Sequence, residues 1–486
     1  MAAASVLNIL SGLFKMKVAA VLLGPTGVGL VGLFQSLVQT GAQVGALGLG
    51  TVGTRQIAAA NAEGGPPAVG VVRRSLFWAT LGLAVIGGLI FLAFSGWIAA
   101  SVLNAPELHS EVAWLSIGVA LTVATGSQGA LLAGMRRIGD LARVQVLSGL
   151  IGAALGVLAV WTWSRAGVVV MVVAAPLATF AMSHLYVARL GQPKGPRPSL
   201  SDMSRQWRGM ATLGIAFMAS GVVTTLSHLA VRTIVQRELG TDSLGQFQAA
   251  WIIGMTYLGF VLTAMTNDYF PRLSAAIKDH PQAIRLINEQ TEVTLILCAP
   301  PLLAMLALAP WVVELLYTDE FGPAAHILRW QLLGDILKVM SWPLSYALLA
   351  AGAGKTFVLA ETIGMGTFVL VVLFGVPVFG VTAAGVGYLV LYAIYLPTVF
   401  GLAMHRIGFK WSPGTLRMAA SLLVTAVVIT LAVRYEPFWG ALSGLATSLI
   451  FGLIGIIRLA HFAGLGGRVG TVISWLERAL PVRSKD

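Results

Sequence analysis

The chain has 486 residues, of which 57% are hydrophobic and only 10% are charged, and its mean hydropathy is +0.85. This composition excludes a soluble globular protein and is typical of a membrane protein that crosses the bilayer many times. The net charge of +12 reflects topology and contact with anionic lipid head groups, so we expect no nucleic-acid partner.

Apolar runs of about 20 residues, the length that a helix needs to cross a bilayer, recur along the whole chain. They predict an all-α polytopic protein with fourteen membrane-spanning helices, near 4–23, 29–50, 76–100, 112–134, 141–163, 167–188, 210–236, 244–267, 290–317, 325–350, 356–378, 381–403, 415–433 and 438–458. Two boundaries, at Ser164–Ala166 and Pro377–Val381, must both be turns for the even count to hold.

Basic residues occur in every second predicted loop, as the positive-inside rule requires of cytoplasmic loops. The loops on the other side contain only Arg165, Arg237 and Arg434, so both termini are predicted to be cytoplasmic. No predicted loop is long enough to fold as a soluble domain that houses a catalytic site. We therefore predict that the protein is not an enzyme and has no catalytic residue, metal or cofactor.

The first predicted span carries two lysines, Lys15 and Lys17, in its middle. A lysine at the centre of a membrane helix costs roughly 2.5–3.5 kcal/mol on insertion scales, so it faces a protein interior or a watery cavity where it can meet an anion. The two side chains point about 200° apart on a regular helix, so only one of them faces a given cavity unless the helix bends at Gly12. Helix orientation favours Lys15, whereas the repeat described next favours Lys17.

A short internal repeat connects this region with a second part of the chain. Leu23-Gly24 is followed by Gly32-Leu33-Phe34-Gln35, and Leu239-Gly240 is followed by Gly245-Gln246-Phe247-Gln248. Lys17 and Arg232 precede their glycines by similar distances, about 10–12 Å inside the outer end of each helix. Arg55 and Arg272 repeat the pattern at the inner end. Because six predicted helices make up each half, the copies run in the same direction, as in transporters built from two parallel lobes around a central site.

Polar residues at helical spacing indicate which faces line that site. Gln35, Gln39 and Gln43 lie four residues apart in the second span, and His228 lies four residues before Arg232 in the seventh. These groups either contact substrate or make interhelical hydrogen bonds, which are common in membrane bundles. The candidate substrate-binding residues are Lys15, Lys17, Arg232, Arg55, Gln35, Gln39, Gln43 and His228.

One acidic residue, Asp335, lies inside the tenth predicted span. It is spaced to pair with Lys338 at i, i+3, which favours a helix-packing role. Ion coupling through Asp335 is the alternative.

The opening of the chain resembles the bacterial O-antigen translocases, the Wzx-type flippases of the multidrug/oligosaccharidyl-lipid/polysaccharide exporter superfamily. The segments that carry the resemblance are Ser11–Val18, Leu22–Leu30, Phe34–Ser36, Gly48–Gly50 and Thr54–Ala58. The resemblance is specific over about the first 60 residues and recognisable again near 209–290.

This resemblance implies two six-helix lobes around a cationic cavity and two additional C-terminal helices, in a multi-pass protein of the bacterial inner membrane. The implied boundaries are a first lobe at 1–190, a basic cytoplasmic linker at 191–208, a second lobe at 209–404, and two extra helices with a basic tail at 405–486. It also implies movement of an undecaprenyl-pyrophosphate-linked glycan from the cytoplasmic to the periplasmic leaflet. The expected partners are this glycan, membrane lipids, a coupling ion (proton or sodium) and polysaccharide polymerase machinery.

Three other functions are weighed against this one. A flippase for the peptidoglycan lipid precursor handles the same carrier lipid and differs mainly in the sugar. A multidrug exporter of the same superfamily shares the fold, but pockets for cationic drugs generally need a buried carboxylate, which the spans of the first lobe lack. A glycan polymerase or ligase is expected to have a large outer loop with catalytic groups, and none is predicted here.

Overall fold

The computed structural model describes residues 2–63, 65–191, 200–264 and 268–463, and every regular element within them is helical. Backbone groups in hydrocarbon must be hydrogen-bonded within the chain, which a helix achieves by itself. The α-helices are α1 Ala2–Gly45, α2 Leu49–Glu63, α3 Gly65–Ala93, α4 Ser95–Trp97, α5 His109–Gly134, α6 Ile138–Trp163, α7 Gly167–Ala188, α8 Leu200–Ala264, α9 Phe270–Ala276, α10 His280–Leu316, α11 Gly322–Ala350, α12 Gly354–Phe379, α13 Thr382–Ile407, α14 Pro413–Tyr435 and α15 Pro437–Ala463. The predicted all-α fold is confirmed.

Ten helical segments in the described part of the chain are long and apolar enough to cross a membrane. Two of these segments contain two helices each, because Val6–Gly45 is interrupted at Gly24 and Ile138–Ala188 at the 3-10 turn Ser164–Ala166. The predicted break near Pro377–Val381 is also a turn, which separates α12 from α13. The total of fourteen spans and the cytoplasmic termini stay predictions.

A single glycine in the left-handed region interrupts α1 and another interrupts α8. Gly24 has φ 61° and ψ −163°, and Gly240 has φ 83° and ψ 173°. Glycine adopts such a conformation without strain because it has no Cβ. The chain reverses direction at Gly240, since Arg232 and Gln248, each eight residues from it, are hydrogen-bonded to each other. The structure therefore gives both copies of the sequence repeat the same form, a helix, a glycine turn and a second helix.

One compact unit of the fold contains the first seven helices and the glycine turn of α8. Its limits are Met1–Ala249, Leu316–Phe321 and Val372–Val381. Small residues let its helices approach closely, as where Gly152 of α6 lies against Ala175 of α7. A buried apolar cluster joins α2, α3, α5, α6 and α7, and its members are Ile57, Val69, Leu131, Leu132, Val144, Tyr186 and Val187.

A second compact unit contains the helices that follow. Its limits are Ala250–Leu315, Gly322–Val371 and Thr382–Asp486. Most of α11 is buried within it, and Gly334 of α11 packs directly on Tyr388 of α13. The predicted lobes at 1–190 and 209–404 stay a prediction. Residues 192–199 of the predicted linker and 464–486 of the predicted tail lie outside the described residues.

Candidate functional site

The two copies of the repeat meet directly after their glycine turns. Three of the contacts pair residues that are 216 positions apart in the sequence. The pairs are Thr26, which donates to the carboxylate of Asp242, Gly29 against Gly245, and Gly32 against Gln248. Since equivalent residues face each other, a local two-fold axis passes between the copies. The two glycines allow the backbones to touch, which fixes the helices that carry the candidate site.

Arg232 is the most deeply buried of the predicted cations, with 5% of its surface exposed. Its Nε donates to Oε1 of Gln248 at 3.1 Å, and its Nη1 donates to the carbonyl oxygen of His228 at 3.3 Å. The guanidinium carbon also lies 5.7 Å from the ring centroid of Phe247, a cation–π distance. Phe247 and Gln248 belong to the repeated motif, so the motif orients the cation.

The two lysines of α1 have different surroundings, although both are half-buried. The Lys17 ammonium donates to the carbonyl oxygen of Tyr317, the residue that follows the end of α10, where a cation is favourable. Lys15 makes no hydrogen bond or ion pair with any described residue. Its face of α1 is that of Ser11, whose hydroxyl donates to the carbonyl oxygen of Gly149 in α6 at 3.2 Å. The helix continues without a bend at Gly12, so the lysines point to different places.

The three glutamines of α1 lie along one side of its second segment. Gln39 is exposed, and Gln35 and Gln43 are half-buried. None of the three side-chain amides forms a hydrogen bond with another residue in the part of the chain that the structure describes, although Gln43 lies against Gly221 of α8. The interhelical hydrogen bonds considered for this stripe are therefore not formed there.

Arg55 lies apart from the other candidates. It is an exposed residue of α2, beyond the far end of the second segment of α1, which extends about 30 Å from Gly24. His228 is half-buried and contributes its backbone carbonyl to Arg232. The structure therefore brings His228, Arg232 and the repeat motif together and leaves Arg55 at the other end.

Asp335 belongs to a separate buried network in the second compact unit. The carboxylate, which is completely buried, accepts hydrogen bonds from the hydroxyls of Tyr257 and Tyr388, each at 2.7 Å. Lys338 does not pair with it directly, as its spacing had indicated, but donates to Tyr388 at 3.0 Å. The rings of Trp342, Tyr388 and Tyr392 surround the ammonium at 5.4 to 5.6 Å and hold it beside the tyrosine.

Sequence reasoning missed the partners that position the cations. Phe247 and Gln248 are part of the repeat motif in the sequence. Arg232 and Gln248 each lie eight residues from Gly240, and this equal spacing around a turn is the signal that pairs them. No sequence signal connects Lys17 with Tyr317, which lies 300 residues away. Within the described ranges, no three His, Cys, Asp or Glu side chains are placed to hold a metal ion.

A duplicated helical hairpin that carries buried cations is the architecture of a membrane transporter with parallel repeats. The chain belongs to the polysaccharide biosynthesis protein family, whose model matches residues 18–326. Membership in this family confirms the resemblance seen in the opening residues.

Relatives and solved structures agree with this assignment. The lipid III flippase of Escherichia coli (strain K12) is 24% identical over 409 residues, which are 82% of this chain and 96% of that protein. The fold is similar to an inward-facing multidrug resistance MATE family transporter of the MOP superfamily, with a TM-score of 0.70, 18% identity and coverage of 82% of this chain and 94% of that one. It is also similar to the lipid II flippase MurJ in an inward closed conformation, with a TM-score of 0.70, 12% identity and coverage of 96% and 99%.

Proposed function

We propose that this protein moves undecaprenyl-pyrophosphate-linked O-antigen or related polysaccharide repeat units from the cytoplasmic to the periplasmic leaflet of the bacterial inner membrane. Membership in a polysaccharide biosynthesis family, a relative named for flipping lipid III and the fold of a lipid II flippase support a lipid-linked substrate. The observation that carries the proposal lies within one compact unit. The guanidinium of Arg232 is buried and oriented there, and in the same unit the amides of Gln35, Gln39 and Gln43 make no hydrogen bond with a described residue.

The chemistry of these groups suits such a substrate. A pyrophosphate that crosses the bilayer needs positive charge, and a guanidinium offers a planar set of donors for phosphate oxygens. Lys15 supplies a second cation with no protein partner among the described residues, whereas the ammonium of Lys17 is engaged by the Tyr317 carbonyl. The amides of Gln35, Gln39 and Gln43 both donate and accept, as sugar hydroxyls require. The protein acts as a transporter and has no catalytic residues.

Transport proceeds by alternating access, in which the contact between the repeat copies at Gly29 and Gly245 must open in one of the two states. A proton or sodium gradient drives the cycle through Asp335. This carboxylate is a buried acid that tyrosine hydroxyls and the nearby Lys338 hold in place. The flipped glycan is then passed to polysaccharide polymerase machinery.

Complementation tests the substrate and the cations together. The parent chain, Arg232→Gln and Lys15→Gln are each expressed in a bacterium that lacks its own O-antigen flippase, and surface glycan is measured. The parent restores the glycan, and either variant lowers it by about 100-fold, since a charged hydrogen-bonding partner of the phosphate is lost. Arg165→Gln, which changes an exposed arginine in a short turn, is the matched control and leaves export unchanged.

Several results would reject this proposal. Full export by both Arg232→Gln and Lys15→Gln overturns the anion site. If a well-inserted parent does not restore the surface glycan but rescues a strain depleted of its peptidoglycan precursor flippase, the substrate is the peptidoglycan lipid precursor. For the coupling role, the neutral double variant Asp335→Asn/Lys338→Met is expected to be folded and unable to export. If it exports normally, Asp335 serves packing alone.

A further inference from the structure

A groove of about 720 Å³ lies in the first compact unit, and its lining includes none of the candidate substrate-binding residues. It runs between the second segment of α1, the end of α3 with its following turns, and the first segment of α8. Its volume falls within the roughly 300–1,000 Å³ that is typical of ligand sites. Nearly all of its lining is apolar, and three of its large side chains, Ile90, Phe94 and Trp97, are more than half exposed.

Two polar side chains of the lining, Thr233 and Arg237, lie toward one end of the groove, and the third, Thr40, lies toward the other, where its hydroxyl donates to the carbonyl oxygen of Thr225 at 3.4 Å. Arg237, three residues before the turn at Gly240, is exposed and uses one nitrogen to reach the carbonyl oxygen of Ser101 at 3.4 Å. No carboxylate in the described part of the chain pairs with it. Its guanidinium therefore marks the mouth of the groove as a place for negative charge.

A buried hydroxyl lies one helical turn deeper on the same face. Thr233 is 8% exposed, lines the groove, and its Oγ1 has no hydrogen-bond partner among the described residues. Other threonines of these helices, such as Thr122 and Thr225, return the hydroxyl to the carbonyl four residues earlier. A buried hydroxyl without a partner costs free energy, so Thr233 is suited to a ligand that brings an acceptor.

The length of the groove matches one leaflet of a bilayer. From Leu226 to Arg237 the helix rises about 16 Å. Half of the hydrocarbon core is about 15 Å thick, so a chain that starts at Arg237 ends near the midplane. Trp97 lies at the same end as Arg237, in keeping with the preference of tryptophan for the membrane interface.

We infer that this groove holds one anionic glycerophospholipid of the leaflet at the Gly240 end. Its phosphate binds Arg237, an ester carbonyl just below the phosphate accepts from Thr233, and one acyl chain fills the apolar length. This lipid is distinct from the transported carrier lipid. Arg237 and Thr233 belong to no part of the substrate site proposed above.

Native mass spectrometry of the purified, delipidated full chain titrated with phosphatidylglycerol tests the inference. The parent and Arg165→Ala, an exposed arginine outside the groove, are expected to retain one lipid equally. Arg237→Ala lowers the affinity about fivefold, the effect of one basic residue at a lipid head group. Thr233→Val lowers it about threefold, through the loss of one hydrogen bond. Ala230→Phe fills the groove and abolishes retention, and Ala230→Leu replaces it if the larger side chain prevents folding.

Two probes decide between occupants. Phosphatidylcholine, which has the same chains and a neutral head group, is expected to bind about fivefold more weakly than phosphatidylglycerol to the parent and equally to Arg237→Ala. Equal phosphatidylglycerol binding by the parent, Arg237→Ala and Ala230→Phe would overturn the inference. The inference would also be overturned if these variants weakened the binding of undecaprenyl phosphate and left phosphatidylglycerol binding unchanged. Glycan export, measured in parallel, reports on the transport proposal independently.

Discussion

The two compact units bury charge in opposite ways. In the first unit, Arg232 contacts an amide, a backbone carbonyl and an aromatic ring, and Lys15 has no protein partner among the described residues. In the second unit, Asp335 and Lys338 share the hydroxyl of Tyr388, and three aromatic rings enclose the ammonium. Both arrangements place ionisable groups where water is scarce.

This difference separates charged groups that are placed to bind a ligand from charged groups whose partners are other residues of the same network. A complete network of buried polar groups stabilises one packing arrangement, and removing a member leaves the others unsatisfied. Lys15 and the glutamine amides, which have no protein hydrogen bond among the described residues, add little to packing and gain their partners when an anionic, hydroxyl-rich substrate arrives. Substitutions in the second unit should therefore act first on stability, and those in the first unit on transport.

The largest effect on stability is expected for Asp335→Asn. It removes one of the two carboxylates, those of Asp335 and Glu361, that act on the buried ammonium of Lys338, and this costs about 3 kcal/mol in the free energy of unfolding. Unfolding in mixed micelles with increasing denaturing detergent measures the change. Adding Lys338→Met removes the buried cation and is expected to recover most of the loss. A single variant as stable as the parent would show that the network contributes nothing to folding.

An intermediate effect is expected where the repeat copies touch. The new Cβ of Gly245→Ala would overlap the backbone of Pro25, and forcing the helices apart costs about 1–3 kcal/mol. Gly126→Ala in α5 is the matched control, because its added Cβ meets no described atom within 4 Å, and it is expected to be neutral or slightly stabilising. The same unfolding measurement applies. Equal stability of both variants would mean that close backbone contact at the local axis is dispensable.

The smallest effect on stability is expected for Gln39→Leu, because the Gln39 amide makes no hydrogen bond with any residue that the structure describes. The free energy of unfolding should change by less than about 0.5 kcal/mol. Export should nevertheless fall by about tenfold, since one hydrogen bond to a sugar hydroxyl is lost. Gln145→Leu, an exposed glutamine of α6, serves as the control that keeps full export. If both variants export alike, the stripe does not contact the glycan.

Local features of the fold were predictable from the sequence. Apolar runs of membrane length predicted the helices, and Gly24, the Ser164–Ala166 stretch and the Pro377–Val381 stretch marked breaks that the structure contains. The repeat placed Arg232 relative to a glycine, and that glycine proved to be a turn. These features follow from composition and helical periodicity, which depend on neighbouring residues alone.

Contacts between distant helices were not predictable in the same way. Periodicity shows that Lys15 and Lys17 lie on different faces, but which helix each face meets depends on packing, and the Tyr317 carbonyl offers no side-chain signal. The i, i+3 spacing of Asp335 and Lys338 permitted a direct pair. The ring of Tyr388, from another helix, places its hydroxyl between them instead. Which residues pair with each other therefore depends on how the helices pack in the assembled bundle.

The glycine turns at Gly24 and Gly240 also bear on biogenesis. Each turn joins two helices through one residue, so no loop is present to let the first helix settle in the bilayer before the second arrives. A helix with two central lysines is a poor candidate for insertion alone, at roughly 2.5–3.5 kcal/mol for each lysine. Entry of the helix pair as one unit brings the apolar residues of 25–45 to offset this cost. Insertion of the cationic helix is in this way tied to the synthesis of its neighbour.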